Sequence, residues 1–222
     1  ADLALFVVSG VDGVEVQTEA LWRMAAEEGI ARAIFVNKLD RERASYSRTL
    51  TQLKAVFGTA VAPLQVPIGR EQDFRGVVDL VTQKAYTFAE DGKAMREEAV
   101  PADLEDDVAM YREKLVEIIA ESDDTLMEKF FAEELSDDDL RNGLATAIAA
   151  GKLVPVLCGA GKRNIGIQPL LDLVVNHFPC PTDSPPLVAK QGNETVSLKA
   201  DSDAPFVGVV FKTSSADIGR LT

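Results

Sequence analysis

The sequence predicts an α/β protein: a parallel sheet, an inserted α+β subdomain and a final β segment. Three observations carry this prediction. Apolar strand-like runs alternate with amphipathic helices, a strongly acidic stretch interrupts the alternation, and a proline-rich segment precedes a last apolar run. The chain has 222 residues, 46% of them hydrophobic, and a net charge of -13. These values describe a soluble globular protein that is long enough to form a sizeable core.

The first part of the chain repeats a strand–helix unit. The predicted elements are strand 3–8, helix 17–28, strand 33–36 and helix 46–57. The first run, LALFVV, is uninterrupted, which is typical of a parallel strand covered on both faces. In the second helix Leu50, Leu53 and Phe57 recur at three- and four-residue spacing, which indicates one buried face. Alternation of this kind predicts a parallel sheet with right-handed crossovers.

The alternation stops at residue 58 and resumes at residue 152. Residues 61–68 and 77–88 predict strands of a different unit. Residues 97–139 contain 17 acidic and three basic side chains, so all the excess negative charge of the chain lies there. Apolar residues at helical spacing mark two helix faces in this region: Val108, Tyr111, Leu115 and Ile118, then Leu140, Leu144 and Ile148. We therefore predict an acidic α+β subdomain over residues 58–151.

A third apolar strand, 153–157, and a helix over 167–178 complete the first domain, which we predict to span 1–57 and 152–183. A stiff linker follows, containing Pro179, Pro181, Pro185 and Pro186. Residues 205–211 (PFVGVVF) predict the first strand of a β domain, so residues 184–222 are interpreted as linker and domain start.

Composition excludes several classes of protein. No apolar run approaches the roughly 18 residues of a membrane-spanning helix, and the start lacks the basic leader of a signal peptide. Cys158 and Cys180 form no C-x-x-C pair, which favours a reduced, cytoplasmic setting. His177, the only histidine, excludes a zinc site with several histidines and is expected at a helix end.

Asn37, Lys38 and Asp40 form an N-K-x-D motif directly after the second predicted strand. Ligands of open α/β sheets bind at the carboxyl ends of strands, so this position favours a binding loop over a charged turn. An Asp carboxylate can accept hydrogen bonds from N1–H and the exocyclic amine of guanine, whereas adenine would leave it unpaired. The Lys stem can lie along the base plane. The motif therefore predicts guanine recognition.

Ala160, Gly161 and Lys162 follow the third strand, where a second loop could reach the same base. The Gly-Lys pair resembles the end of G-x-x-x-x-G-K-[ST], but Val156 stands at the first glycine position and Arg163 follows Lys162. The phosphate-loop motif therefore fails. A backbone N–H, from Gly161 or its neighbour, could instead donate to guanine O6. The alternative is a plain turn of small residues.

Residues 97–139 are expected to repel nucleic-acid phosphates, so no direct contact with RNA or DNA is predicted for this region. Its charge suits a basic protein partner or simply a solvated surface. No Ser-His-Asp set, metal cluster or isolated carboxylate pair indicates another catalytic chemistry.

Five segments carry a further signal: GVDGVEVQTEALWRMA, FVNKLDR, QVPIGREQDFRGVVDLVTQKAYTF, EKLVEIIAESDDTLMEKFF and LVPVLCGAGKRNIGIQPLLDLVVNHFPCPTDSPP. Together they are similar to consecutive segments of bacterial elongation factor G, a translational GTPase. The resemblance runs through residues 1–222 in order. It implies the C-terminal half of a P-loop GTPase parallel sheet, the family's inserted subdomain and the first strands of a β-barrel domain.

By this resemblance Asn37, Lys38 and Asp40 are the guanine-specificity motif. Ala160, Gly161 and Lys162 fall in the last guanine loop, where the family usually has Ser-Ala-x, so Ala160 lacks a hydroxyl that would brace the loop. The resemblance also implies GTP or GDP as ligand, with Mg²⁺ bound in the full-length parent. The implied partners are the ribosome and its stalk protein, the latter through residues 97–139.

The resemblance implies that the phosphate loop, both switch regions and the Mg²⁺ ligands would lie before Ala1. Phosphoryl transfer depends on those parts, so we expect this chain alone to read the base and not to hydrolyse GTP. In the family's sheet strand 3–8 would pair with a strand further upstream. We therefore expect an exposed apolar edge at residues 3–8 that favours self-association.

Three other interpretations are kept open. The chain could be a non-enzymatic interaction module whose acidic helices bind a basic partner. It could derive from a GTPase that recycles or protects ribosomes instead of one that moves tRNA and mRNA. An unrelated α/β enzyme would need a catalytic cluster that the sequence does not contain.

Overall fold

Strands and helices alternate along the chain as the apolar pattern predicts. The computed structural model describes residues 2–89, 92–180, 182, 186–216 and 219–221, in one unit ending at Pro179 and a second beginning at Cys180. The first unit contains, in order, β1 (Leu3–Ser9), α1 (Val16–Glu27), β2 (Ala31–Asn37), α2 (Tyr46–Phe57), β3 (Val61–Pro63), β4 (Gln65–Ile68), β5 (Gly76–Asp79), β6 (Lys84–Phe88), β7 (Met95–Glu98), α3 (Glu105–Ala120), α4 (Asp124–Phe131), α5 (Asp137–Ala149), β8 (Val154–Cys158) and α6 (Ile167–His177).

A parallel sheet of four strands, in the order β1-β2-β8-β3, forms the centre of the first unit. β2 is covered on both faces. Ile34 and Val36 pack with residues of α1 and α2, whereas Phe35 packs on the other face with residues of α3, α5 and α6. Burial on both faces explains why the β2 sequence is apolar without alternation. The predicted α/β fold class is confirmed.

β1 is an edge strand of this sheet, and its burial differs from the prediction. Phe6 and Val8 are buried against α1, but Leu5 and Val7 on the opposite face are 40% and 60% exposed. The uninterrupted apolar run thus predicted the strand correctly and its cover on both faces wrongly. Exposed apolar side chains on an edge strand are a hazard for self-association.

The inserted region contains an antiparallel sheet in the order β4-β5-β6-β7. The interpretation of residues 61–68 as belonging entirely to a different unit is wrong, because β3 pairs with β8 in the parallel sheet. Leu64 is the crossing point between the sheets: its N–H donates to the Val156 carbonyl at 2.9 Å, and its carbonyl accepts from the Leu80 N–H at 2.9 Å. Residues 77–88 form two antiparallel strands, β5 and β6, joined as a hairpin.

Helices α3, α4 and α5 carry most of the acidic residues. α3 and α5 share one apolar cluster with residues of both sheets, and α4 packs against α3. Val108 and Leu115 of α3 and Leu144 of α5 are buried in one apolar cluster, as their spacing predicts. Arg112 fixes α3 to the β5–β6 turn by donating from Nη1 to the carbonyls of Leu80 and Val81, at 2.6 and 2.7 Å. α4 was not predicted as a separate helix.

The second unit contains two antiparallel hairpins, formed by β9 (Leu187–Gln191) with β10 (Glu194–Leu198) and by β11 (Ser214–Ala216) with β12 (Gly219–Leu221). The strand predicted at 205–211 is wrong: in the described chain these residues have no sheet partner, and Phe206 and Phe211 are 96% and 94% exposed. Pro181 and Pro185 of the predicted linker lie outside the described residues. None of the helices described here is both long and apolar enough to cross a membrane.

Candidate functional site

The two loops predicted to read a base lie side by side at one end of the parallel sheet. β2 ends at Asn37 and β8 ends at Cys158, and the two strands are neighbours with Val36 opposite Cys158. Because both strands run in the same direction, the N-K-x-D loop and the Ala160–Gly161–Lys162 loop leave from the same edge. The sheet therefore brings together residues that are more than 120 positions apart in sequence.

Asn37 connects three loops at this edge. Its side-chain Oδ1 accepts hydrogen bonds from the backbone N–H of Gly161 at 2.9 Å and of Lys38 at 2.8 Å. Its backbone carbonyl accepts from the N–H of Gly10, in the loop after β1, at 2.8 Å. Leu39, the unspecified residue of N-K-x-D, is buried, and its N–H donates to the Gly159 carbonyl at 3.2 Å. The motif therefore holds the two loops in a defined relative position.

Lys38 has a left-handed backbone, with φ 65°, and an exposed side chain. Its Nζ lies 3.9 Å from Oδ2 of Asp12, whose side chain is about half exposed, and Asp12 also accepts a hydrogen bond from Ser9 Oγ at 2.7 Å. An exposed ion pair of this length contributes little to stability. It nevertheless brings the loop after β1 beside the lysine stem.

Asp40 lines a cavity of about 540 Å³, which is large enough for a nucleobase. The other residues that line it are Val11, Asp12, Lys38, Arg41, Glu42 and Gln72. Asp40 is half-buried, and among the residues described its carboxylate has no hydrogen bond or ion pair. Two acceptor oxygens are therefore available to a ligand that presents two N–H donors on one edge.

The second loop is closed by its own backbone. Ala160 is buried; its N–H donates to the Ile165 carbonyl at 3.0 Å, and its carbonyl accepts from the N–H groups of Ile165 and Arg163 at 3.2 and 3.0 Å. The loop therefore has bracing contacts that do not need a hydroxyl at position 160. Ala160 stabilises this loop through its backbone.

Gly161 has a different contact from the one that the sequence predicts. Its N–H donates to Asn37 Oδ1, so it is already occupied within the protein. The N–H of Lys162 has no acceptor in the described part of the chain, and the Lys162 side chain is exposed. Of Gly161 and its two neighbours, Lys162 is the one whose N–H is left free for a ligand within the described chain.

Three further residues support the site, and none of them belongs to a recognised sequence motif. Arg48 of α2 donates from Nη2 to the carbonyls of Val11 and Arg43, at 2.8 and 3.2 Å, and so links the loop after β1 to the loop after β2. Asp12 and Gln72 line the cavity. Gly10-Val11-Asp12-Gly13, directly after β1, is a sequence signal that could have identified Asp12, but Arg48 and Gln72 become neighbours of the motif only in three dimensions.

Metal ligands are not assigned at this site. Over the described ranges, no three His, Cys, Asp or Glu side chains lie close enough together to hold a metal ion.

Two comparisons with known proteins agree with this geometry. The family model of the elongation factor Tu GTP binding domain matches residues 1–180, which include both loops. A crystal structure of a protein from Thermus thermophilus matches with a TM-score of 0.77 at 34% identity, covering 85% of this chain and 29% of that one. This chain thus spans less than a third of that relative. It belongs to the translational GTPase family defined by the elongation factor Tu GTP-binding domain, a guanine-nucleotide-binding domain.

Proposed function

We propose that this chain is the guanine-recognising portion of a ribosome-dependent GTPase of the elongation factor G type, which moves tRNA and mRNA. The observation that carries the proposal is the unpartnered Asp40 carboxylate beside two loops tied together by Asn37. A protein that needed only a charged turn after β2 would gain nothing from holding a carboxylate without a partner in a cavity.

The cavity would distinguish guanine from adenine by hydrogen bonding. Asp40 accepts from N1–H and the exocyclic amine of guanine, the Lys162 N–H donates to O6, and the Lys38 stem covers the base plane. Adenine has neither donor at the corresponding edge, so it would leave a desolvated carboxylate unpaired. These residues read the base; phosphoryl transfer is not assigned to them.

The acidic helices supply a second reason for the translational proposal. Residues 97–139 are expected to dock a basic face of the ribosomal stalk protein, and the exposed Phe131 of α4 adds apolar contact area. Binding of this kind should weaken as ionic strength rises, which a titration at two salt concentrations would measure. A cytoplasmic location follows from this proposal.

The alternative function is a non-enzymatic interaction module that uses only the acidic helices. The specific observation in its favour is that the acidic residues concentrate on α3, α4 and α5, outside the base cavity. Under this alternative Asp40 has no ligand, and changing it should alter no binding.

The proposal is tested by NMR titration of the chain with GDP, and with ADP as the control nucleotide. We expect GDP-specific shifts at the amides of Asn37, Lys38, Asp40 and Lys162. Asp40→Asn should lower the preference for GDP at least about tenfold, because an amide cannot accept from both guanine donors. Asp172→Asn, an exposed change on α6, is the matched control. Equal responses to GDP and ADP in the unmodified chain would contradict guanine recognition.

A further inference from the structure

We propose that Glu71, in the inserted subdomain, is a positioning residue for the base-reading loop, an inference that rests on the proposed guanine site. Glu71 begins a short 3-10 turn, Glu71–Asp73, between β4 and β5. The turn supplies Gln72 to the lining of the Asp40 cavity. The inserted subdomain therefore forms part of the wall of this cavity.

The contact between the two regions is a short, charge-assisted hydrogen bond. Oε1 of Glu71 accepts from the backbone N–H of Arg43 at 2.6 Å, across 28 residues of sequence. Arg43 lies three residues after Asp40, in a loop whose turns are closed by the Arg41 N–H to Lys38 carbonyl and Ala44 N–H to Arg41 carbonyl bonds, both 3.1 Å. Holding the Arg43 amide therefore restricts the segment that carries Asp40.

Unfavourable backbone conformations cluster around the same contact. Lys38, Arg43 and Glu71 have φ of 65°, 63° and 50°, and they are three of the six non-glycine residues with positive φ in the described chain. Such conformations are uncommon for side chains with a Cβ, and they persist where surrounding contacts determine them. The Glu71–Arg43 bond joins two of these residues directly, so it is a contact capable of maintaining both.

The second base-reading loop is also bonded to the insert, at Phe74 beside the Glu71–Asp73 turn and at Gly92 between β6 and β7. Arg163 Nη1 donates to the Phe74 carbonyl at 3.2 Å, and Asn164 Nδ2 donates to the Gly92 carbonyl at 2.8 Å. Both loops therefore have a contact to the inserted subdomain beyond their contact with each other. A displacement of the insert, such as a bound partner would cause, would change the position of the base-reading groups.

The experiment compares Glu71→Ala and Glu71→Gln with Asp73→Ala, a change in the same turn, in the full 222-residue chain. Amide hydrogen exchange reports on Arg43, and GDP and ADP titrations report base preference at Asp40. We expect Glu71→Ala to speed exchange at Arg43 roughly tenfold, the change expected on losing a charge-assisted hydrogen bond, and to lower the GDP preference about threefold or more. Glu71→Gln keeps an acceptor oxygen. It should therefore retain part of the protection of the Arg43 amide from exchange and part of the preference for GDP.

Global unfolding in urea provides the control for a merely structural role, and Glu71→Ala should leave its midpoint near that of Asp73→Ala. The inference is overturned if Glu71→Ala matches Asp73→Ala in exchange at Arg43 or in GDP preference while the unmodified chain prefers GDP. If the unmodified chain shows no preference for GDP, the proposed function fails and this inference fails with it. The two failures are therefore distinguished by the unmodified chain.

Discussion

Asn37 is the residue on which the geometry of the candidate site depends most directly. One oxygen atom, Oδ1, accepts from Lys38 within its own loop and from Gly161 in the neighbouring loop. An Asn at the end of a parallel strand can do this because its side chain is short and its carbonyl oxygen has two lone pairs. The N-K-x-D motif thus contains one residue, Asn37, that joins the two loops, and a second, Asp40, that we propose binds the base.

Replacing Asn37 by Ala should remove both hydrogen bonds and leave two N–H groups without their acceptor. We expect the free energy of unfolding to fall by about 1 kcal/mol, since the site is partly open to water. We also expect the GDP-specific shifts at Asp40 to disappear, because the second loop is no longer held beside the first.

Urea unfolding and the GDP titration together measure these effects. Asn176→Ala, a change of the same chemistry on the exposed side of α6, is the control and should leave base preference intact. An Asn37→Ala protein with unaltered GDP shifts would show that Asn37 does not organise the site.

At the scale of the element, the start of α5 is held by several contacts in the acidic insert. Ser136 and Asp139 form a capping box, in which Ser136 Oγ accepts from the Asp139 N–H and Asp139 Oδ2 accepts from the Ser136 N–H. Lys129 Nζ of α4 donates to Asp139 Oδ1 at 2.6 Å. The hydrogen bond from Lys129, followed by those from Ser136, lowers the pKa of Asp139 from 3.8 to about 2.

This depressed pKa predicts a pH-dependent contribution to stability. A carboxyl group whose pKa is lower in the folded state than in the unfolded state stabilises the fold at pH values above its pKa in the unfolded state. The contribution of Asp139 should therefore be complete above about pH 4 and be lost as the pH falls from 3.8 towards 2. The difference in melting temperature between the unmodified protein and Asp139→Asn should shrink across that interval.

Thermal unfolding at a series of pH values checks this expectation. Asp138→Asn is the matched control, because Asp138 is exposed and, among the residues with described positions, its one ion pair is with the exposed Arg141 at 3.1 Å. A difference between Asp139→Asn and the unmodified protein that stays constant between about pH 5 and pH 2 would contradict the assigned contacts.

At the scale of the whole molecule, the outer edge of β1 is the feature with the clearest consequence. Among the residues that the structure describes, β1 pairs on one side only, with β2. Its exposed face carries Leu5 and Val7. An edge strand with unpaired backbone groups and apolar side chains is a template for pairing with a second chain. We therefore propose that this chain self-associates through β1.

Val7→Lys should reduce this association, since a lysine on an edge strand opposes edge-to-edge pairing. We expect the average mass measured by light scattering to rise with concentration for the unmodified chain and to stay near that of the monomer for Val7→Lys. Val56→Lys places the same charge on an exposed position of α2 and should behave like the unmodified chain. A monomer at high concentration without any substitution would contradict the proposal.

The order of elements could be predicted because apolar periodicity is a local property of the chain. Predicted helix 46–57 coincides with α2, and the strand predicted at 33–36 lies within β2. Predictions of strand pairing were wrong in two places. Leu64 separates two strands that belong to different sheets, and residues 205–211 have strand composition without a sheet partner in the described chain. Strand pairing depends on which other segment lies alongside, and the local composition of a segment does not specify that neighbour.

For the site, the sequence by itself determined which groups are present: the Asp40 carboxylate, which we propose binds guanine, after one strand, and a second loop after another strand. Only the tertiary structure decided how that chemistry is arranged. Gly161 donates to Asn37 and leaves Lys162 as the free donor, and Glu71 reaches Arg43 from the inserted subdomain. The physical reason is that a motif specifies side chains, whereas the occupancy of each donor and acceptor depends on groups brought near by the packing of distant segments.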